Sequence, residues 1–484
     1  MKRPKEKLEI CDFVYNIYKK VKKSLVVSRK NTNFAGKNVY KMIESIYIKN
    51  YLSIKEGMEF SFIGTREKDK FNDTYSSWYE QCGDRKLSKL MFVLGNNAAG
   101  KTNFINAVRT MRQLVVNKPS ERDESLEYMP FLLDSSSRFD VTTFGMVFYI
   151  NNNRYIYRIS YDEDVIHDET LSISKKTREI PVYNRTFDKI RHLSKVEFRP
   201  ECELPRDEQY LLQRQTTANT SVLASFWAMN LSSRVLKDCY LFFRDKIGLD
   251  YGEDESLADI LAKGSRQEQS RLKNDVLMFL KIINSNICDY RITEHKVSLP
   301  RSVREKQGKL ELLDELSDFF VMSERVIRTI TFYHQTEDGV YPLDEEMESD
   351  GTLALIKLIA MTQTLISKGM TVFIDEQPAG IHEQALQYMI SCYIRLSMDC
   401  QLIVAGQDTS FLSYDKLRRD SIRIFKKGAD GNTYIFKDGE NKLFQRNVNI
   451  RRFVFDKSDL GEIDDEMDAL ILKYQEVMAK KRKI

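Results

Sequence analysis

From Lys41 onward the chain runs in short apolar and alternating segments. Met42–Ile48 alternates apolar and polar residues, and Met58–Phe62 repeats the pattern after a polar break, which predicts two strands. Leu90–Leu94 (LMFVL) is apolar at every position, as expected of a strand buried on both faces. Phe139–Ile150, Arg154–Tyr161 and Asp168–Ser174 read as a meander that turns at Asn151, Asn152 and Asn153. From about Asp207 to Phe320 the period changes: Leu, Ile and Phe recur at helical spacing beneath charged faces, predicting a mainly helical stretch. Strand character returns at Val326–Tyr333. A helix Gly351–Ser367, a strand Thr371–Ile374, a helix Glu383–Ser397 and a strand Gln401–Ala405 follow, with further strands near Ser421–Lys426 and Asn432–Phe436. Such alternation of strand and helix predicts a parallel sheet with helical crossovers.

Residues 1–40 have another texture. Leu8, Ile10, Phe13, Val14, Ile17, Val21 and Leu25 recur at helical spacing, while Lys19, Lys20, Lys22 and Lys23 cluster on the same turns. This predicts a basic amphipathic helix, either packed on the body or contacting a partner or nucleic acid. The chain then divides into an N-terminal lobe (41–206), a helical insertion forming a short stalk or lid (207–320), a C-terminal lobe (321–445) and a C-terminal helical tail (446–484). In the insertion, Phe226, Trp227 and Met229 form an apolar cluster suited to core packing. A helix pair of about 40–50 residues each way would project only about 60–75 Å.

Composition narrows the class without choosing a function. Hydrophobic residues are 42% and charged residues 30% of the chain, ordinary for a soluble globular protein. Net charge is +4, too balanced to argue for nucleic acid. No apolar run is long enough to span a membrane, so a cytoplasmic protein is expected. The seven cysteines include no C-x-x-C pair, and the five histidines are scattered, so reduced thiols are expected in place of a disulfide frame or zinc site.

The chemistry begins at Gly95-Asn96-Asn97-Ala98-Ala99-Gly100-Lys101-Thr102, which matches the phosphate-loop pattern G-x-x-x-x-G-K-[ST]. Its context matches too: an all-apolar strand leads in, and Asn103-Phe104-Ile105 continues as a helix. Small residues let backbone N–H groups converge on a β-phosphate, to which the helix adds its positive end. Lys101 is expected at the β/γ-phosphates and the Thr102 hydroxyl on Mg²⁺.

Far downstream, Val372-Phe373-Ile374-Asp375-Glu376 is an apolar strand ending in two carboxylates. Asp375 suits the Mg²⁺ shell, and Glu376 suits polarising the attacking water as general base. The long separation excludes compact nucleotide kinases and predicts a head split by an insertion. Glu348-Ser349-Asp350-Gly351-Thr352 precedes the helix before that strand. A helix N-terminus with a serine and a glycine offers an anion its hydroxyl and N–H groups, though an ordinary N-cap has the same residues. After Gln401–Ala405 comes Gly406-Gln407-Asp408. Gln407 can donate a hydrogen bond but cannot become an imidazolium, which predicts either slow or conditional turnover or no measurable change. His382 suits either a facing-head contact or plain surface.

Taken together, these elements resemble the SMC/ABC-like AAA ATPases grouped with RloA and the AbiLi abortive-infection proteins, with the PARIS-type ATPase AriA as a more distant relative. The resemblance covers roughly residues 42–440. It includes Ile48-Lys49-Asn50-Tyr51-Leu52-Ser53-Ile54, which is similar to the family's opening strand, and Pro130-Phe131-Leu132-Leu133 before the meander. It implies an α/β fold of the ABC/SMC-type P-loop head, with a mixed sheet, an antiparallel meander and a helical insertion. It also implies that Ser349, Asp350, Gly351 and Thr352 are a signature motif presented to ATP on a partner head, hence a homodimer or higher oligomer. The group further implies a bacterial ATPase that senses or gates, with a separately encoded nuclease-like effector. Gln407 stands where the family has histidine, and Gln377–His382 departs from its usual wording. A DNA-repair or DNA-clamping ATPase without a toxic effector is the rival expectation, and a nearly inactive nucleotide switch is a third.

Overall fold

The computed structural model describes residues 41–64, 78–121, 124–151, 153–175, 178–249, 256–283, 285–300, 303–306, 309–312, 322–375, 381–407 and 417–436. The expected basic helix at 1–40, the tail 446–484 and Glu376 lie outside these residues.

The N-terminal strands form a seven-stranded antiparallel sheet. Its order is Leu193–Phe198, Arg178–Asp188, Ile166–Lys175, Asn153–Tyr161, Thr142–Ile150, Lys41–Lys49 and Met58–Ser61. The meander thus runs two strands further than the sequence pattern indicates. Asn151 takes φ 51° at the expected hairpin turn, a conformation that asparagine tolerates better than most residues.

The second sheet has six strands in the order Ile247–Gly248, Thr371–Asp375, Gln401–Gly406, Leu90–Leu94, Ile422–Lys427 and Thr433–Ile435. The first five are parallel, and the last turns back antiparallel. Leu90–Leu94 lies near its middle, which explains its uninterrupted apolar run. Met91 and Val93 point into the core shared with the seven-stranded sheet, while Leu90, Phe92 and Leu94 point into the core on the other face. One strand therefore serves two cores through the period of its pleat.

Helix Lys101–Val116 fills the space between the sheets. Phe104 stacks on Phe60 at 4.7 Å and meets Phe373 and Phe425 edge-on. On the opposite face, helices Leu257–Ala262, Arg266–Ile282, Asp350–Lys368 and Glu383–Leu396 supply the second core. Two buried polar side chains tie these layers. Gln401 accepts from the Ile43 N–H at 2.7 Å and donates to the Ile43 and Ser88 carbonyls, joining the parallel sheet to the first strand of the antiparallel one. Lys89 donates to the carbonyls of Ile394 and Ser397, satisfying acceptors at the end of helix Glu383–Leu396.

The expected helical stretch 207–320 is helical only in its first part. Helices Arg206–Gln215, Val222–Trp227, Arg234–Lys246, Leu257–Ala262 and Arg266–Ile282 give way to a strand, Ile287–Pro300. That strand pairs antiparallel with Met322–Gln335 over its whole length. The cause is a period-2 pattern hidden behind the helical one: Tyr290 and Ile292 face Phe332 and Ile330 across the ladder. The projection is therefore a β-ribbon, with two 14-residue strands spanning about 45 Å. Val340–Asp344 adds a third strand at its base.

Candidate nucleotide-binding site

The parallel register brings the ends of three strands to one edge. Asp375 pairs with Ala405, Ala405 with Val93, and Gly406 with Leu94. The phosphate loop leaves this edge after Leu94, Asp375 ends its own strand there, and Gln407 follows Gly406. In open parallel sheets, ligands bind beyond the carboxyl ends of the strands.

Within the loop, Gly95 is buried, Asn96, Asn97 and Ala98 are exposed, and Ala99, Gly100 and Lys101 are buried again. Ala98 (φ 60°) and Gly100 (φ 94°) are both left-handed, which bends the backbone into a concave turn before the helix. Lys101 opens helix Lys101–Val116 and curls back, its Nζ donating to the carbonyls of Gly95 at 2.7 Å and Asn96 at 3.0 Å. The ammonium thus sits over the loop that carries it. Thr102 is exposed one residue into the helix.

A brace holds this loop from behind. Asn103 donates to the Ser53 hydroxyl at 2.7 Å, and Ser53 and Thr433 share a hydroxyl contact at 2.8 Å. Thr433 in turn donates to the Ala99 carbonyl at 3.1 Å. Ser53 lies in the Ile48–Ile54 motif, whose sequence points to no part in the site. Thr433 carries no local signal at all, since only the turn of Ile422–Lys427 into Thr433–Ile435 delivers it.

Asp375 is half-buried at its strand end. A hydroxyl and a carboxylate are hard oxygen donors, so the Thr102 and Asp375 side chains fit Mg²⁺ completed by water and phosphate oxygens. Gln407 is exposed. His382 caps helix Glu383–Leu396, its Nδ1 accepting from the Gln384 N–H at 3.3 Å.

Ser349 is the N-cap of helix Asp350–Lys368, where its Oγ accepts from the Thr352 N–H at 3.1 Å. Ser349 and Asp350 are exposed, and Gly351 and Thr352 half-buried. The helix ends at Gly369, left-handed at φ 57°, and the chain then enters strand Thr371–Asp375. Its middle packs on the same sheet face, Leu358 lining a small apolar cavity with Ile374, Leu386 and Val404.

A family model described as "AAA domain, putative AbiEii toxin, Type IV TA system" matches residues 90–413. The chain belongs to that family. No curated protein matches it. Among solved structures it is similar to the SMC head domain from Thermotoga maritima, at 11% identity and TM-score 0.36 over 81% of this chain and 98% of that one. It is also similar to the recombination mediator RecF with a bound ATP analogue, at 11% identity and TM-score 0.34 over 83% and 100%. An Smc head domain from Pyrococcus furiosus, bound to the C-terminal domain of ScpA, matches at 12% identity and TM-score 0.33 over 82% and 96%. The fold is α/β: a parallel sheet carrying the loop, joined through helix Lys101–Val116 to an antiparallel meander. No helix among the described residues is long and apolar enough to cross a membrane.

Proposed function

We propose that this protein binds and hydrolyses ATP as a sensor or gate in bacterial anti-phage defence of the abortive-infection kind, controlling a separately encoded effector such as a nuclease. Within its AAA family, the finer grouping we assign is with RloA and the AbiLi proteins. The observation that carries the ATPase reading is the strand register, which gathers the Gly95–Thr102 loop, Asp375 and Gln407 at one sheet edge. The defence reading is supported by the toxin–antitoxin description of the matched family.

In this reading Gly95, Asn96, Asn97, Ala98, Ala99, Gly100, Lys101, Thr102 and Asn103 hold the phosphates. Thr102 and Asp375 would hold Mg²⁺, which supplies charge neutralisation to the phosphates when bound. Glu376 takes the proton of the attacking water. Gln407 donates a neutral hydrogen bond to the transferring group, so turnover is slow and suits a switch. Ser349–Thr352 open a helix N-terminus to solvent and complete the site of a second copy, so ATP closes a homodimer or higher oligomer and hydrolysis opens it.

The test is Glu376→Gln in the full chain. Turnover is expected to fall at least about 100-fold, with ATP-dependent dimers accumulating, as loss of a general base requires. Unchanged turnover would sink the mechanism. For the partner, a nuclease or toxin encoded by the adjacent reading frame supports effector control. Salt-sensitive, ATP-stimulated binding of duplex DNA by the protein alone would favour a DNA clamp instead.

A further inference from the structure

Glu348 immediately precedes the Ser349 cap, and its carboxylate is not at the surface. It is 8% exposed and meets His334 Nε2, a ring 10% exposed. The other ring nitrogen, Nδ1, lies 3.0 Å from Asn286 Oδ1. His334 stands one residue from the end of strand Met322–Gln335, paired with Ile287 on one side and Tyr341 on the other. The Asn286 main-chain carbonyl accepts from the Gln335 N–H at 2.8 Å, so the backbone of the residue whose side chain meets the ring is itself tied to the ladder. The imidazole is thus clamped between the root of the β-ribbon and the residue that starts the signature helix.

The ribbon is anchored to the helical layer by separate contacts. Arg328 reaches Asp259 at 2.7 Å, and Lys273 reaches Asp289 at 2.6 Å. Between Asp344 and Ser349 the chain makes only one short 3-10 turn, Glu345–Met347, closed by the Glu348 N–H on the Glu345 carbonyl. Burying a carboxylate beside an imidazole costs desolvation that an apolar pair would avoid, and such pairs are best attested where they fix one geometry among several. Here the geometry being fixed is that of Ser349.

We infer that Asn286, His334 and Glu348 form a latch that positions Ser349–Thr352 for the ATP of a facing head, so that a displacement of the β-ribbon is transmitted to the composite site. Asn286, His334 and Glu348 are positioning residues and touch no nucleotide themselves. The inference rests on the reading of Ser349–Thr352 as a segment presented to a second copy.

The test uses full-length chains, alone and mixed. Glu348→Ala is expected to lower ATP turnover about tenfold while ATP affinity at its own phosphate loop is unchanged, as for loss of positioning alone. Glu348→Gln keeps an acceptor for the ring N–H and should stay within about twofold of the parent. Mixing Glu348→Ala with Lys101→Ala should give more turnover than the sum of the two alone, because one intact loop then faces one intact signature. Should Glu348→Ala fail to fold, Asn286→Ala at an exposed position removes only the outer support of the ring, with about a threefold loss expected. Parent-like turnover in both Glu348→Ala and Asn286→Ala, with Ser349→Arg inactive, overturns the latch and leaves the two-head site standing. Absence of recovery on mixing also overturns it. Parent-like turnover in Ser349→Arg would overturn the two-head reading itself.

Discussion

At the scale of single residues, the loop glycines are fixed by what lies beside them. A Cβ on Gly95 would lie 2.6 Å from the Phe425 carbonyl oxygen, a backbone atom in the neighbouring strand that has no rotamer by which to move aside. Gly100 combines φ +94° with a Cβ position blocked by the Thr433 hydroxyl and by Ser53 Oγ at 2.8 Å. Gly95→Ala should therefore distort the loop and weaken ATP binding at least about tenfold, about 1.4 kcal/mol. Titration with a fluorescent ATP analogue measures this, and an unchanged dissociation constant would mean that the sheet yields at Phe425. The G-x-x-x-x-G-K-[ST] pattern was legible from spacing alone. Its packing reason was not, because Phe425 and Thr433 are remote in the chain.

At the scale of elements, one buried ion pair joins the meander to the helices that follow it. Glu169 and Arg185 are both fully buried and 3.4 Å apart on adjacent strands. Glu169 also accepts from Tyr157, Tyr183 and the Val222 N–H, while Arg185 donates to the carbonyls of Thr217, Ala218 and Thr220. Arg185→Met would leave a carboxylate without its counter-charge and should cost about 3–5 kcal/mol. Urea denaturation reads the loss; a change under about 1 kcal/mol would show that the tyrosines suffice. Strands Ile166–Lys175 and Thr371–Asp375 were legible because one core face or two impose a clean period on them. Of the β-ribbon, the strand at Val326–Tyr333 is legible in the sequence, whereas Ile287–Pro300 reads as part of the helical stretch because much of it faces solvent and carries charges that blur its alternation.

At the scale of the whole molecule, the helical layer meets helix Asp350–Lys368 at a titratable point. Gln363 on helix Asp350–Lys368 donates to Asp275 Oδ2 at 2.7 Å, and burial pushes that carboxyl up from 3.8 to about 6, only partly opposed by Arg271. A carboxyl with a raised folded pKa favours the fold while protonated. Its contribution is complete below 3.8 and is lost as pH rises through about 6. Asp275→Asn keeps the acceptor for Gln363 and cannot ionise. Its stability relative to the parent should rise as pH increases through about 6, and denaturation midpoints on either side of that value measure the difference. A gap that does not change with pH would place Asp275 in water.

The sequence by itself determined the phosphate loop, the acidic strand end, the strands Leu90–Leu94 and Gln401–Gly406, and the helix that Ser349 caps. Each is written in a local period or in a spacing that backbone geometry demands. Only the tertiary structure decided that Ser53 and Thr433 brace the loop, that Gln401 joins two sheets, that the insertion ends in a ribbon, and that His334 holds Glu348. Each of these joins residues far apart in the chain, through hydrogen bonds whose partners are chosen by strand order and register, which a one-dimensional pattern does not carry.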